Sequence, residues 1–159
     1  INPEARMTID AKLKELNITL PDVPKAVANY VGYKVVGNLV MISGQLPFKD
    51  GAILHPGHLG DYVSLEQGVE AARQCAVNVL AQLKAAVDGD WSRVRQCVRL
   101  GGFVASTPDF TKHPLVVNGA SDLIAEVLGE SGRHARAAVG VAALPLGASV
   151  EVEALFEIA

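Results

Sequence analysis

Residues 135–159 read ARAAVGVAALPLGASVEVEALFEIA. Two runs of small and apolar residues flank Leu144-Pro145-Leu146-Gly147, whose Pro and Gly mark a turn, so the stretch predicts two strands. In the second, Val150, Val152, Ala154 and Phe156 share one side, and Glu151, Glu153, Leu155 and Glu157 share the other. A period of two with one apolar side belongs to a sheet covered on one face and open on the other. In the first strand a permanent cation, Arg136, shares its side with Ala138, Gly140 and Ala142, all small. Such a floor leaves room in front of a guanidinium, whose planar fork of donors matches a carboxylate bidentately. A strand-end arginine can equally snorkel to solvent or pair with an acid of its own chain. Periodicity alone leaves those two readings even. For Glu151 and Glu153 the wet face of a strand is the simpler account. Glu151 gains a chemical role only beside Arg136, where a carboxylate can orient water.

Upstream, 118–128 carries Leu123, Ile124, Val127 and Leu128 at helical spacing and stops at Gly129. The run 93–100 alternates, with Val94, Val98 and Leu100 on one side and Arg93, Arg95 and Arg99 on the other. Gly101-Gly102 then suggests a bulge or a close backbone approach. The clearest element begins at Ser64, which with Gln67 forms a capping box. Leu65, Val69, Ala72, Ala76, Val79, Leu83 and Ala86 recur at steps of four and three up to Asp88-Gly89-Asp90, predicting a long amphipathic helix on a flat partner. The runs 29–35 and 39–43 around Gly37-Asn38 predict a hairpin, and 52–54 a short strand within a Gly-, Pro- and His-containing loop over 49–60. Asn2-Pro3-Glu4 reads as a helix start, with Ala5, Ile9, Leu13 and Leu16 on one face. Pro21 and Pro24 then predict an extended lead-in.

The 159 residues, half of them hydrophobic and 19% charged, have material for one core and predict a single domain over 1–159, with 1–28 as N-terminal helix and lead-in. Helices and strands in this order predict an α+β chain with both long helices on one sheet face. The formal charge of -3 is the wrong sign for a surface that lives on phosphate backbones. No apolar run is long enough to span a bilayer, and INPEARMTID has no signal-peptide core, so a cytoplasmic protein is expected.

Cys75 and Cys97 have no partner at metal-ligand spacing, which predicts two reduced thiols. Cys75, beside the apolar stripe of its helix, reads as buried and inert. Cys97 reads as lying on the arginine-bearing side of its strand, where cations favour the thiolate. His55 and His58 lack a third ligand, and His113 and His134 read as surface residues. No GxSxG, P-loop or dinucleotide fingerprint occurs.

The blocks Gly37-Asn38, Ser43-Gly44-Gln45-Leu46-Pro47, Arg136-Ala137-Ala138-Val139, Leu144-Pro145 and Val150-Glu151-Val152-Glu153-Ala154 resemble, in residues and spacing, the opening and closing motifs of the Rid/YjgF family, also called endoribonuclease L-PSP-like. The resemblance covers about 29–159. The N-terminal helix and the 49–60 loop exceed the shortest members and imply a longer subgroup. The implied fold is α+β and similar to Bacillus chorismate mutase, a mixed sheet backed by two long helices. The implied assembly is a homotrimer with clefts between subunits, without metal or organic cofactor.

The implied activity is hydrolysis of small carboxylate-bearing enamines and imines of the 2-aminoacrylate type to 2-keto acids and ammonia. A carboxylate-binding trimer without catalysis is the alternative. Endoribonuclease activity is a third reading, against which the acidic balance counts. By motif, Arg136 matches the arginine that grips the substrate carboxylate and Glu151 the glutamate that positions the attacking water. Tyr30 and Ser43 match cleft-lining residues, Gly44 keeps the cleft wall low, and Asn118 matches an asparagine that opens the second long helix. Ala138 stands where active members often carry a cysteine. It substitutes freely if that position supplies only its backbone carbonyl.

Overall fold

The computed structural model describes residues 8–23 and 28–159. The helix start at Asn2-Pro3-Glu4, with Ala5, and the Pro24 end of the lead-in lie outside the described residues. In chain order the elements are α1 (Thr8–Glu15), β1 (Tyr33–Val36), β2 (Leu39–Gln45), β3 (Phe48–Lys49), β4 (Ala52–Ile53), α2 (Leu65–Ala86), β5 (Val94–Ala105), α3 (His113–Leu128), β6 (Ala135–Val141) and β7 (Val150–Ile158). Five strands form one sheet in the order β1-β2-β7-β5-β6, and β3 and β4 make a separate two-stranded ribbon. All neighbours in the large sheet are antiparallel except β5 and β6, which run parallel and are joined through α3. The sheet is therefore mixed, as α+β chains allow.

The closing strand behaves as its sequence dictates. Val150, Val152, Ala154, Phe156 and Ile158 are buried while Glu151, Glu153, Leu155 and Glu157 are half-buried on the other side. The buried row meets α2, and α3 packs beside it on β5 and β6, so the two helices cover one face of the sheet; burying each large side chain there contributes roughly 1.5–3 kcal/mol. The capping box forms as read, with Ser64 Oγ accepting from the Gln67 amide and the Gln67 side chain accepting from the Ser64 amide. The middle of α2 is buried all round rather than on one stripe, from Cys75 to Leu83. Its second side is covered by the turn into β3: Asn78 Nδ2 donates to the carbonyls of Leu46 (2.9 Å) and Phe48 (3.1 Å), and Gln74 Nε2 to that of Phe48 (3.0 Å). Helical polar residues thus satisfy loop carbonyls that have no strand partner. At the N-terminal side, Ile9 and Leu13 of α1 enter the core, and Trp91 Nε1 donates to Asp10 (3.0 Å).

Three expectations shift. Strand β5 does not end at Leu100 but runs through Gly101-Gly102 to Ala105. The glycines mark close approach, with Gly102 under Val117 of α3 and Gly101 beside Glu153. The irregularities fall earlier, between Val94 and Gln96 and between Cys97 and Arg99. Each bulge adds a residue and resets which side faces the core, so the buried positions are Val94, Cys97 and Leu100. The simple alternation that put Arg93, Arg95 and Arg99 on one side with Cys97 is overturned. Cys97 faces the core instead of the arginines. Helix α3 begins at His113, not Asn118, with Pro114 in its first turn, where a fixed φ and missing N–H cost nothing. Asn118 therefore sits in the second turn rather than opening the helix.

Candidate functional site

Arg136 lies on β6, the outer strand, opposite Leu100 of β5. Leu100 is fully buried, so Arg136 points to the helix-covered side, at the rim where the cover ends. Two acceptors on α3 meet it. Asn118 and Ser121, three residues apart and hence on one helix face, take hydrogen bonds from Nη1 to Oδ1 (2.8 Å) and Oγ (3.1 Å). Nη2 reaches the Pro114 carbonyl at 3.5 Å. Among the described residues Nε has no partner, so the Nε and Nη2 edge of the guanidinium carries one long contact, to Pro114. Among the described residues Arg136 does not pair with an acid. It is held by neutral oxygens, which orient the cation and leave its charge uncompensated.

The floor beside it is the predicted one. Ala138 is half-buried and packs on the core, opposite Gly102, and Gly140 is exposed, opposite Val104. Gly140 leaves room for His113: a Cβ there would collide with the His113 ring and the Ser106 hydroxyl. His113 is half-buried, not a surface residue. Its Nε2 lies 3.1 Å from Ser106 Oγ and its ring meets Phe110 edge-on, centroids 5.3 Å apart. Ser106, Phe110, His113, Gly140 and Ala142 line a hollow of about 400 Å³. His134 is likewise engaged, with Nε2 2.8 Å from Ser121 Oγ and Nδ1 2.6 Å from the Gly132 carbonyl. Sequence patterns missed both histidines because each is placed by the packing of α3 on β6.

The remaining site residues gather elsewhere. Glu151 of β7 is opposite Phe103 of β5, on the open face of the sheet. In β2 the register shifts between Ile42 and Gln45, so Ser43 and Gly44 form a bulge against β7. A Cβ on Gly44 would occupy the space of the Glu151 carboxylate. Glycine here admits the side chain of the neighbouring strand. Ser43 Oγ donates to the Val31 carbonyl (2.6 Å) and its amide to that of Gly32 (2.9 Å), which ties down the segment carrying Tyr30. The Tyr30 side chain is largely exposed. Burial first, and then the charge of Glu153, raise the pKa of Glu151 above its ordinary value.

One chain thus carries two clusters. Arg136, Asn118 and Ala138 stand on the helix side of the outer strand; Glu151, Gly44, Ser43 and Tyr30 stand at the open face. The other sequence candidates are occupied structurally. His55 pairs with Glu70 (3.0 Å) and His58 Nε2 bonds the Ala142 carbonyl (2.7 Å). Among the described residues no group of three metal-ligating side chains occurs, and no helix is long and apolar enough to cross a membrane. Arg99 pairs with Glu153 (3.5 Å) and Arg93 Nε donates to the Ala159 carbonyl (3.0 Å).

Comparison with known proteins agrees with this architecture. Residues 10–158 match the family described as "YjgF/chorismate mutase-like, putative endoribonuclease". A crystal structure of an Agrobacterium tumefaciens protein of unknown function is 52% identical and superposes with a TM-score of 0.92, over 98% of this chain and 96% of that one. Protein TCP17 of Trypanosoma cruzi is 48% identical over 94% of each chain. A RutC family protein of Sinorhizobium fredii is 30% identical over 89% of this chain and 96% of its own. With the family model spanning nearly the whole chain, these relatives and the mixed sheet backed by two helices, the chain belongs to the YjgF/chorismate mutase-like family.

Proposed function

We propose that this chain hydrolyses small imines and enamines bearing a carboxylate, of the 2-aminoacrylate type, to 2-keto acids and ammonia. The observation that carries the reading is the guanidinium of Arg136, aligned by neutral acceptors, with an Nε and Nη2 edge whose one partner among the described residues is the Pro114 carbonyl at 3.5 Å, beside the small Ala138. That edge fits a carboxylate with two parallel hydrogen bonds.

An enamine first tautomerises to the imine. Water then adds to the imine carbon, a proton passes to nitrogen, and the carbinolamine expels ammonia to leave the keto acid. The imine is electrophilic once protonated, so placement is the main service required. Arg136 holds the carboxylate. Glu151 orients the water and takes its proton, and a pKa raised by burial makes it the better base.

Arg136 and Glu151 diverge within one chain, so the reading places the reaction between copies, in a homotrimer whose clefts join the Arg136 cluster of one subunit to the Glu151 cluster of the next. Tyr30 and Ser43 then wall the cleft from the second subunit. Ala138 serves through its backbone. A binding role without turnover is the second reading, favoured by the alanine at 138.

The test generates imines in situ with an amino-acid oxidase and traps the remainder with semicarbazide. The parent should speed imine loss. Arg136→Ala should lose about 2–4 kcal/mol of transition-state binding, roughly 30- to 900-fold in kcat/KM. No acceleration by the parent across several amino acids leaves the binding role in place of catalysis. A variant as active as the parent removes Arg136 from the site.

A further inference from the structure

We propose that Ser121 and His134 act as a positioning relay for Arg136, setting which edge of its guanidinium faces the ligand. The inference rests on the reading of Arg136 as carboxylate anchor. Its basis is the direction of each hydrogen bond. The Gly132 carbonyl can only accept, so at 2.6 Å the Nδ1 of His134 carries its proton. In the neutral ring Nε2 is then an acceptor, and the Ser121 hydroxyl donates to it at 2.8 Å. The Ser121 oxygen turns its lone pairs to Arg136 and accepts from Nη1 at 3.1 Å. Asn118 Oδ1 takes the other Nη1 hydrogen at 2.8 Å. With both hydrogens of Nη1 fixed and Nη2 at 3.5 Å from the Pro114 carbonyl, the guanidinium plane is fixed, and the ligand is met by Nε and the remaining Nη2 hydrogen.

Two periodicities bring this about. His134, Arg136 and Ala138 alternate along the strand and share its inward side, each half-buried between exposed neighbours. Asn118 and Ser121 share one side of α3. Ser121, His134 and Arg136 line one shallow depression of about 270 Å³, together with Asp122, Ala125 and Arg133.

The relay reverses when His134 gains a proton. Nε2 then donates to Ser121, the hydroxyl loses its acceptor, and two cations converge on one oxygen. The charged groups around the ring are Arg136 on β6, Asp122 on α3 and Arg133, which pairs with Glu130 at 3.7 Å. Protonation of His134 should therefore loosen the hold on Arg136.

The experiment reads Arg136 directly, by arginine-selective ¹⁵N spectroscopy assigned with Arg136→Lys, alongside calorimetric titration of 2-oxobutanoate. In the parent the Nη hydrogens should show restricted rotation, lost on acidification as the His134 ring resonances move. Ser121→Ala and His134→Leu should free the guanidinium and weaken 2-oxobutanoate binding roughly 10- to 150-fold, the range of one charge-assisted hydrogen bond. Ser121→Thr keeps the hydroxyl and His134→Gln keeps an acceptor without a titrating ring; both should hold Arg136 as the parent does, the latter without pH dependence. Unchanged guanidinium signals in Ser121→Ala, or failure of both conservative variants to restore them, overturn the relay. A freed guanidinium with 2-oxobutanoate binding unaltered, or absent from the parent as well, overturns the carboxylate reading of Arg136 and with it the relay's part in ligand capture.

Discussion

Arg136 and Glu151 lie on opposite faces of the same sheet: Arg136 stands level with the buried Leu100, Glu151 with Phe103 on the open face. No side-chain rotation brings the two groups together through a packed sheet. If both serve one reaction, they come from two copies of the chain, and each copy supplies half of two different sites.

That geometry predicts complementation. Arg136→Ala and Glu151→Ala homo-oligomers should both be inactive in the imine-trapping assay. Mixed and allowed to exchange subunits, they regain sites that join a native Arg136 to a native Glu151. For random cyclic assembly at equal ratio that is roughly a quarter of the sites. Recovery near that fraction supports the shared site. A mixture that stays inactive after exchange, verified by mass spectrometry, excludes it.

Gly44 offers a test that leaves every functional group in place. Its bulge against β7 admits the Glu151 carboxylate where a Cβ would sit. Gly44→Ala should push that carboxylate aside, and misplacing a catalytic group by about 1 Å costs on the order of a hundredfold in rate. Gly44 is exposed and alanine suits a strand no worse than glycine, so the thermal midpoint should hardly move. A Gly44→Ala protein with parental kinetics would remove Glu151 from the water-positioning role.

The strand and helix layout was legible because its signals are local. The alternation of Val150 to Ile158 and the four-three spacing from Leu65 to Ala86 each reflect one face meeting one core. Arg136, Glu151, Gly44 and Asn118 stand as site candidates on the family resemblance of their motifs, not on periodicity. The failures are equally specific. Two bulges in β5 moved Cys97 to the core, and a bulge is a backbone event with no residue signature beyond the loss of alternation. The start of α3 was misplaced because Pro114 reads both as a breaker and as a first-turn residue. Ser121, His113 and His134 escaped because their partners, Arg136, Ser106 and Gly132 or Ser121, are set by tertiary packing.

The corrected position of Cys97 changes its chemistry. Burial pushes its thiol up to about 12, and that of Cys75 well above the ordinary range as well, with the charge of Glu151 as a second cause there. The thiolate is the nucleophile, so neither residue should react with iodoacetamide in the native protein at pH 8. Both should alkylate once the chain is denatured. Labelling of Cys97 in the native state, read by peptide mass spectrometry, would mean that this strand opens to solvent far more readily than its packing implies.

On the proposed mechanism, Glu151 should make stability and activity depend on pH in opposite senses. Its pKa is raised in the folded chain, by burial first and by Glu153 second, so the folded state binds the proton over a range where the unfolded chain has released it. Stability therefore falls as pH rises through that window, and above the folded value the full penalty of holding a buried charge is present. Glu151→Gln removes the penalty. The variant should be more resistant to denaturant than the parent at pH 7, and the difference should close as pH falls below the ordinary glutamate value of 4.5. Activity runs the other way, because the base is the ionised form. The acid limb of kcat/KM should lie above 4.5, and Glu153→Gln, which removes the like charge, should move that limb down. A limb that ignores Glu153→Gln, together with Glu151→Gln no more stable than the parent at pH 7, would assign the limb to another group and leave Glu151 an ordinary solvated carboxylate.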